Sequence, residues 1–181
     1  MVIDLCELGP EALEQLAQRT LAAALEHAPA WLIDLAAARD EIAEALADDV
    51  IARVAFDDDG DEPIGWVAAR HAWGGVWELH PLIVAIEHQR CGVGRRLVRD
   101  IERLAAEAGG LTMALTTSDS VGATSLSGVD LYDDPLGRLA AIEVVKPHAV
   151  EFWRRIGYRI TGVIPDAEGI GVPSIALARR L

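Results

Sequence analysis

A chain of 181 residues, 51 % hydrophobic and 25 % charged, is long enough for one sizeable core and has the mix of an ordinary globular protein. Its 16 Lys+Arg against 29 Asp+Glu give a formal net charge of −13, which repels nucleic acid and anionic membranes; it suits a cationic partner, or serves solubility alone. Two cysteines, Cys6 and Cys91, cannot build a disulfide framework or a Cys zinc site. No apolar run approaches the ~20 residues of a membrane span, and no basic stretch precedes an apolar one at Met1, so a reduced, cytoplasmic protein without a signal peptide is expected.

In chain order, Val2 to Cys6 reads as an opening strand. Pro10 suits a first helical position, and Leu13, Leu16, Ala17, Thr20, Leu21, Ala24 and Leu25 follow at helical spacing. Pro29 interrupts, and a second helix is expected over Leu32 to Leu46. Val50 to Phe56 and Ile64 to Arg70 form a hairpin around Asp57-Asp58-Asp59-Gly60-Asp61. Trp73-Gly74-Gly75 turns the chain into a strand over Val76 to Val84. The loop Gln89 to Gly94 precedes a helix with core stripe Leu97, Val98, Ile101, Leu104, Ala105 and Ala108, which Gly109-Gly110 ends. Leu111 to Thr116 is a further strand. Ser118 to Lys146 is irregular, with a short helix near Leu136 to Ile142, and its length suits a functional insertion. Pro147 opens a late helix to Ile156, and Tyr158 to Ile164 and Pro173 to Ala178 close the chain as strands. This order predicts one α/β domain over residues 1–181: a mixed, mostly antiparallel sheet flanked by helices.

Gln89-Arg90-Cys91-Gly92-Val93-Gly94 lies between a strand end and a helix start. Unpaired N–H groups and the positive end of the helix dipole meet there, the glycines allow close approach of an anion, and Arg90, Arg95 and Arg96 add charge. No Gly-Lys-Ser/Thr is present and no third glycine follows Gly94, which excludes a P-loop and the dinucleotide fingerprint. The remaining readings are a diphosphate cradle and a plain tight turn.

In the preceding strand, Trp77-Glu78-Leu79-His80-Pro81-Leu82, strand alternation puts Glu78, His80, Leu82 and Val84 on one face. Glu78 is then a candidate to hold a cationic amine and accept its proton, His80 to assist, and the Leu82 N–H to polarise a carbonyl. The alternative is that Glu78 and His80 pair with each other or with strand neighbours. Pro81 donates no ladder bond, which fits a strand parting from its neighbour. Trp66, Trp73 and Trp77 are candidates for stacking or for packing. His27 and His71 read as surface residues, and no cluster has metal spacing.

Gln-x-x-Gly-x-Gly after Leu82-Ile83-Val84 resembles the acetyl-CoA signature of the GNAT N-acetyltransferases, whose element order this chain also matches. The resemblance implies a pyrophosphate on the N–H groups of Gln89, Arg90, Cys91, Gly92, Val93 and Gly94, with Arg95 beside it. It implies a pantetheine arm paired with the backbone of Leu82, Ile83 and Val84, between splayed fourth and fifth strands. Trp77 to Leu82 further resembles one branch of the aminoglycoside 6′-N-acetyltransferases. So do Thr124 to Tyr132, Glu151 to Tyr158 and Gly162 to Gly169. By that resemblance Glu78 and His80 are the active-site pair, and Asp119, Asp130 and Asp166 join Glu78 as candidate amine contacts. Acetyl-CoA is the implied co-substrate, a cationic amine the acceptor, and a homodimer is common among such enzymes. Two competing expectations are a GNAT enzyme acting on a polyamine, amino acid or peptide amine, and a non-catalytic acyl-CoA-binding module. The chain departs from the pattern at Trp153, where a tyrosine able to protonate the CoA thiolate is usual; Tyr132, His148 or water are the substitutes. It departs again at Ser118-Asp119 and at Val172-Pro173-Ser174.

Overall fold

The computed structural model describes residues 1–28 and 31–181, so the break expected at Pro29 lies outside the described residues. Two compact units are present, Met1–Met113 with Leu181, and Ala114–Arg180.

The first unit runs β1 (Val2–Asp4), α1 (Pro10–His27), α2 (Leu35–Glu44), β2 (Val50–Phe56), β3 (Pro63–Trp73), β4 (Val76–Val84) and α3 (Val93–Glu107). The opening strand is shorter than expected because Asp4 caps a single helical turn over Leu5–Glu7. Its side chain accepts the Cys6 N–H while Glu7 accepts the Asp4 N–H. Asp34 likewise starts α2 later than expected by accepting the Ala37 N–H at 2.8 Å. Asp57 makes the β2–β3 turn, its Oδ1 accepting the N–H groups of Gly60, Asp61 and Glu62. Those donors, Glu62 foremost, hold its carboxyl below the usual range against the opposing effect of desolvation.

β1, β2, β3 and β4 pair in sequence, each antiparallel to the next. Ala52, Val54, Phe56, Trp66, Ala68 and Ile83 join Leu16, Ala17, Ala24, Ala38 and Ile42 of α1 and α2 in one buried cluster. Each fully buried leucine of this kind contributes about 1.5–3 kcal/mol. The Trp66 indole N–H is satisfied inside the cluster by the Thr20 hydroxyl at 2.8 Å. Leu25, expected on the buried stripe of α1, is 51 % exposed, and Ala23 takes a buried place on that helix. The alternate residues of the strands, Ala55, Val67 and Ala69, face the other way, toward Val93, Leu97, Val98, Ile101 and Ala105 of α3. A Cβ on Gly65 would lie 2.7 Å from the Ile83 carbonyl oxygen and 3.5 Å from Leu97, so this position has no room for a side chain.

The pairing of β3 with β4 slips where the chemistry is expected. Val67 faces Leu82 and Ala69 faces Leu79, so two steps along β3 match three along β4. This is a β-bulge with its extra residue in the stretch His80-Pro81, whose peptide bond is cis. One extra residue inverts the alternation. Glu78 is opposite Arg70, on the side of Trp66 and Ala68 that faces α1 and α2. Leu82 and Val84 are opposite Val67 and Gly65, on the side that faces α3. The expected single face of Glu78, His80, Leu82 and Val84 is therefore corrected: the bulge divides it in two.

The second unit holds most of β5 (Thr112–Ser118), then α4 (Pro135–Ala140), α5 (Ala149–Arg155), β6 (Arg159–Ile164) and β7 (Ser174–Arg180). β7 lies between β5 and β6 and pairs antiparallel with β6. Leu115, Leu126, Leu131, Val150, Tyr158, Ile175 and Leu177 are buried here. The long irregular stretch is pinned: Ser125 N–H donates to Glu143 O, Val145 N–H to Ala123 O, and Thr124 bridges Val144.

Candidate active site

The loop after β4 is built from two left-handed residues. A single turn over Ile86–His88 leads to Gln89, then Arg90 has φ 62 and Gly92 has φ 88. A non-glycine residue in that region costs about 1 kcal/mol and marks a turn shaped for something else. Left-handed residues in a turn are a common element of backbone concavities that suit an anion. α3 begins at Val93 with no side chain capping it, and its first intrahelical bond is Arg96 N–H to Gly92 O, 3.1 Å. The first-turn donors of α3 are therefore free to meet a ligand. Two depressions meet at Gly92. One, of about 290 Å³, lies against Asp57, Asp58 and His88. The other, of about 550 Å³, is bordered by Arg95, Arg96, Arg99 and Arg103. Arg96 borders both; the first adds two aspartates to it, while the second adds three more arginines and Asp100. Among the described residues Arg90, Arg95 and Arg99 have no carboxylate partner.

Gln89 turns inward. Its Nε2 donates to the Val84 carbonyl at 3.2 Å, and its amide also meets His27 Nε2 at 3.1–3.2 Å. The Gln89 side chain thus holds the loop to the end of β4 and to α1, and leaves the backbone for an anion. Cys91 is exposed, with Sγ 3.4 Å from the Gln89 carbonyl.

Upstream, Glu78 is exposed and makes no hydrogen bond or ion pair among the described residues. Arg70 is its ladder partner yet bridges no carboxylate. His80 is not paired with Glu78: its Nε2 lies 3.4 Å from Glu41 Oε1 on α2, and its ring meets Trp31 edge-on at 5.3 Å. Glu41 and Trp31 were not legible as site residues, because helical spacing marks position 41 only as polar. Trp66 and Trp77 are buried packing residues, and Trp73 is 68 % exposed.

In the second unit the carboxylates have different surroundings. Asp119 is fully buried. Its Oδ1 accepts the Ala123 N–H at 2.6 Å, and its Oδ2 accepts the Thr124 N–H and hydroxyl at 2.9 and 2.7 Å. Asp130 and Asp166 are exposed; each uses one oxygen in a local turn, for the N–H groups of Tyr132 and Gly171. Trp153 is buried between the rings of Phe152 and Tyr158. His148 caps α5: Nδ1 accepts the Val150 N–H at 3.2 Å, so Nε2 carries the proton toward the Ser118 carbonyl at 2.9 Å. Tyr132 is 70 % exposed.

Comparison with known proteins identifies the family. Residues 11–137 match the model of the acetyltransferase (GNAT) family. No curated protein sequence gives a significant match. Among solved structures, an aminoglycoside 6′-N-acetyltransferase complexed with coenzyme A is 31 % identical, with a TM-score of 0.88 over 99 % of this chain and 96 % of that one. The aminoglycoside 6′-N-acetyltransferase from Enterococcus faecium is 31 % identical at a TM-score of 0.86, with the same coverage. An aminoglycoside 6′-acetyltransferase type Ii is 27 % identical at a TM-score of 0.72, again over 99 % and 96 %. No helix among the described residues is long and apolar enough to cross a membrane. The chain belongs to the GNAT family, with its α/β fold, and is an acetyl-CoA-dependent N-acetyltransferase.

Proposed function

We propose that the acceptor is a primary amine of a polycationic small molecule, an aminoglycoside at its 6′-amine, and that Glu78 handles the proton. The observation that carries this reading is Glu78 itself: an exposed carboxylate with no partner among the described residues, one bulge away from the backbone of Leu82 to Val84. A carboxylate left unpaired on a sheet face is a ready site for an ammonium group, and charge pairing there strengthens as water leaves.

The donor set of the loop fits the co-substrate. The N–H groups of Gln89 to Gly94, together with Arg95, would hold the pyrophosphate, and the backbone of Leu82, Ile83 and Val84 would take the pantetheine arm. Bound acetyl-CoA supplies an activated acetyl thioester, so that R–NH3+ plus acetyl-CoA gives the acetamide, CoA thiol and one proton. Glu78 holds the ammonium and takes up that proton, with His80 assisting. The Leu82 N–H donates to the oxygen on which negative charge develops. His148 has both ring nitrogens committed and Trp153 has no usable acid, so protonation of the leaving thiolate falls to water or to Tyr132. Within the second unit Asp130 and Asp166 each leave one oxygen unbonded among the described residues, whereas Asp119 organises its own loop.

The test is release of free CoA thiol from acetyl-CoA with panels of aminoglycosides, polyamines, amino acids and peptides. Turnover is expected with aminoglycosides bearing a 6′-amine and not with those lacking it. Turnover confined to polyamines, amino acids or peptides would replace the acceptor and leave the enzyme class intact. CoA binding without turnover on any amine would point to a binding module.

A further inference from the structure

We propose that Glu41 is a positioning residue for the acetyl transfer, acting through His80. This rests on the reading of Glu78 and His80 as the proton-handling pair.

The bulge sets His80 against α2, where Glu41 Oε1 lies 3.4 Å from its Nε2. The Glu41 side chain is only 17 % exposed while that of His80 is 53 % exposed, so the carboxylate is set into the fold and the imidazole reaches out from it. Among the described residues His80 is the group of opposite charge that Glu41 meets, an ion-pair contact at 3.4 Å once the ring is protonated. The Trp31 ring, its centroid 5.3 Å from that of the imidazole and its plane inclined at 66° to it, limits the tilt of the imidazole ring. The other charged groups on this face are Glu78, two residues along β4, and Arg70 opposite it; Arg39 of α2 is engaged by Glu14.

An ionised carboxylate only accepts, so 3.4 Å from Nε2 its negative charge favours the tautomer that carries the proton on that nitrogen. Nδ1, which has no partner among the described residues, then carries the lone pair. When an ammonium N–H bond breaks, its electron pair stays on the amine nitrogen as the nucleophilic pair. Glu78 takes up the proton and passes it on to Nδ1, and Glu41 balances the charge that appears on the ring. The proton leaves to solvent in the next cycle. A base whose orientation is set by a third group is a recurring solution to this chemistry. Glu41 touches no reacting atom in it.

The test compares Glu41→Ala, Glu41→Asp, His80→Gln and the Glu41→Ala/His80→Gln pair in the full chain. Glu41→Ala is expected to lower kcat roughly ten- to hundredfold, with KM for the amine and Kd for CoA within about twofold of the parent. Glu41→Asp should recover most of that loss. In the His80→Gln background, Glu41→Ala should cost nothing further, because the residue it acts through is already gone. A substrate-free measurement stands beside the kinetics. The 15N spectrum of the His80 ring at alkaline pH, assigned by its loss in His80→Gln, should show one tautomer in the parent and an average of two in Glu41→Ala. An unchanged ring spectrum, or an equal kcat loss with and without His80, overturns the proposal. If His80→Gln lowers kcat and Glu41→Ala does not, Glu41 falls and the reading of the site stands. If both are silent, the reading of the site falls as well.

Discussion

Glu78 and Asp119 are both carboxylates that a cationic substrate would seek, and their surroundings give them opposite work. Asp119 spends both oxygens on Ala123 and Thr124 and is fully buried. Glu78 spends neither among the described residues. The same contrast separates His148, closed by two hydrogen bonds, from His80, which keeps one ring nitrogen open. Residue type and spacing in the sequence cannot make these distinctions, because they depend on what the chain folds back against. Asp100 of α3 shows what a partnered carboxylate does for stability. Desolvation tends to raise its pKa, but hydrogen bonds from Arg103 and from Arg53 on β2 outweigh it and hold the group below the ordinary range. A carboxyl whose folded pKa lies below its unfolded one stabilises fully above the unfolded value, and the gain disappears as pH falls through the folded one. Asp100→Asn should therefore cost about 1–3 kcal/mol at neutral pH, with the difference from the parent shrinking in acid. Urea denaturation of both proteins across the acid range checks this. A difference that stayed constant with pH would remove the charge from the account.

At the scale of elements, most of the chain is legible because its signals are local. Helical spacing and Pro10 give α1, and alternation gives β2 and the full span of β4. The ends that moved, at β1 and at α2, moved because Asp4 and Asp34 cap turns, a competition between side chain and backbone that periodicity does not register. The largest failure, the face assignment along β4, has a different origin. A bulge is defined by the partner strand, and nothing in Glu78 to Val84 alone says that two steps on β3 will meet three on β4. The consequence is chemical: Glu78 and His80 face one side, toward α1 and α2, while Leu82 and Val84 turn their side chains to the other. The turn before α3 was legible from Gly92 and Gly94, but the left-handed Arg90 and the inward turn of the Gln89 side chain were not. Gly92 has φ 88 and open space where a Cβ would sit, so Gly92→Ala tests the backbone alone. It should cost about 1 kcal/mol, a fall of about 2–4 °C in Tm, and it should weaken CoA in a calorimetric titration. An unchanged Kd would mean that the loop conformation is not what receives the cofactor.

The whole molecule carries a formal charge of −13, yet α3 presents Arg95, Arg96, Arg99 and Arg103 around one depression at the loop. An acidic field draws in a cationic acceptor, and a local basic row beside an uncapped helix end receives an anion. The proposed function puts the two tasks on different parts of the same unit: anion binding on the loop and first turn of α3, proton handling on β4 at Glu78 and His80. They should therefore come apart under mutation. The most direct test of this account measures two quantities on one preparation of Glu78→Gln: the Kd for CoA by calorimetry, and kcat by thiol release with the best amine acceptor. CoA affinity within about twofold of the parent, with kcat lower by roughly 10²–10⁴-fold, is the predicted result. Mild and equal changes in both, or an unchanged kcat, would contradict it.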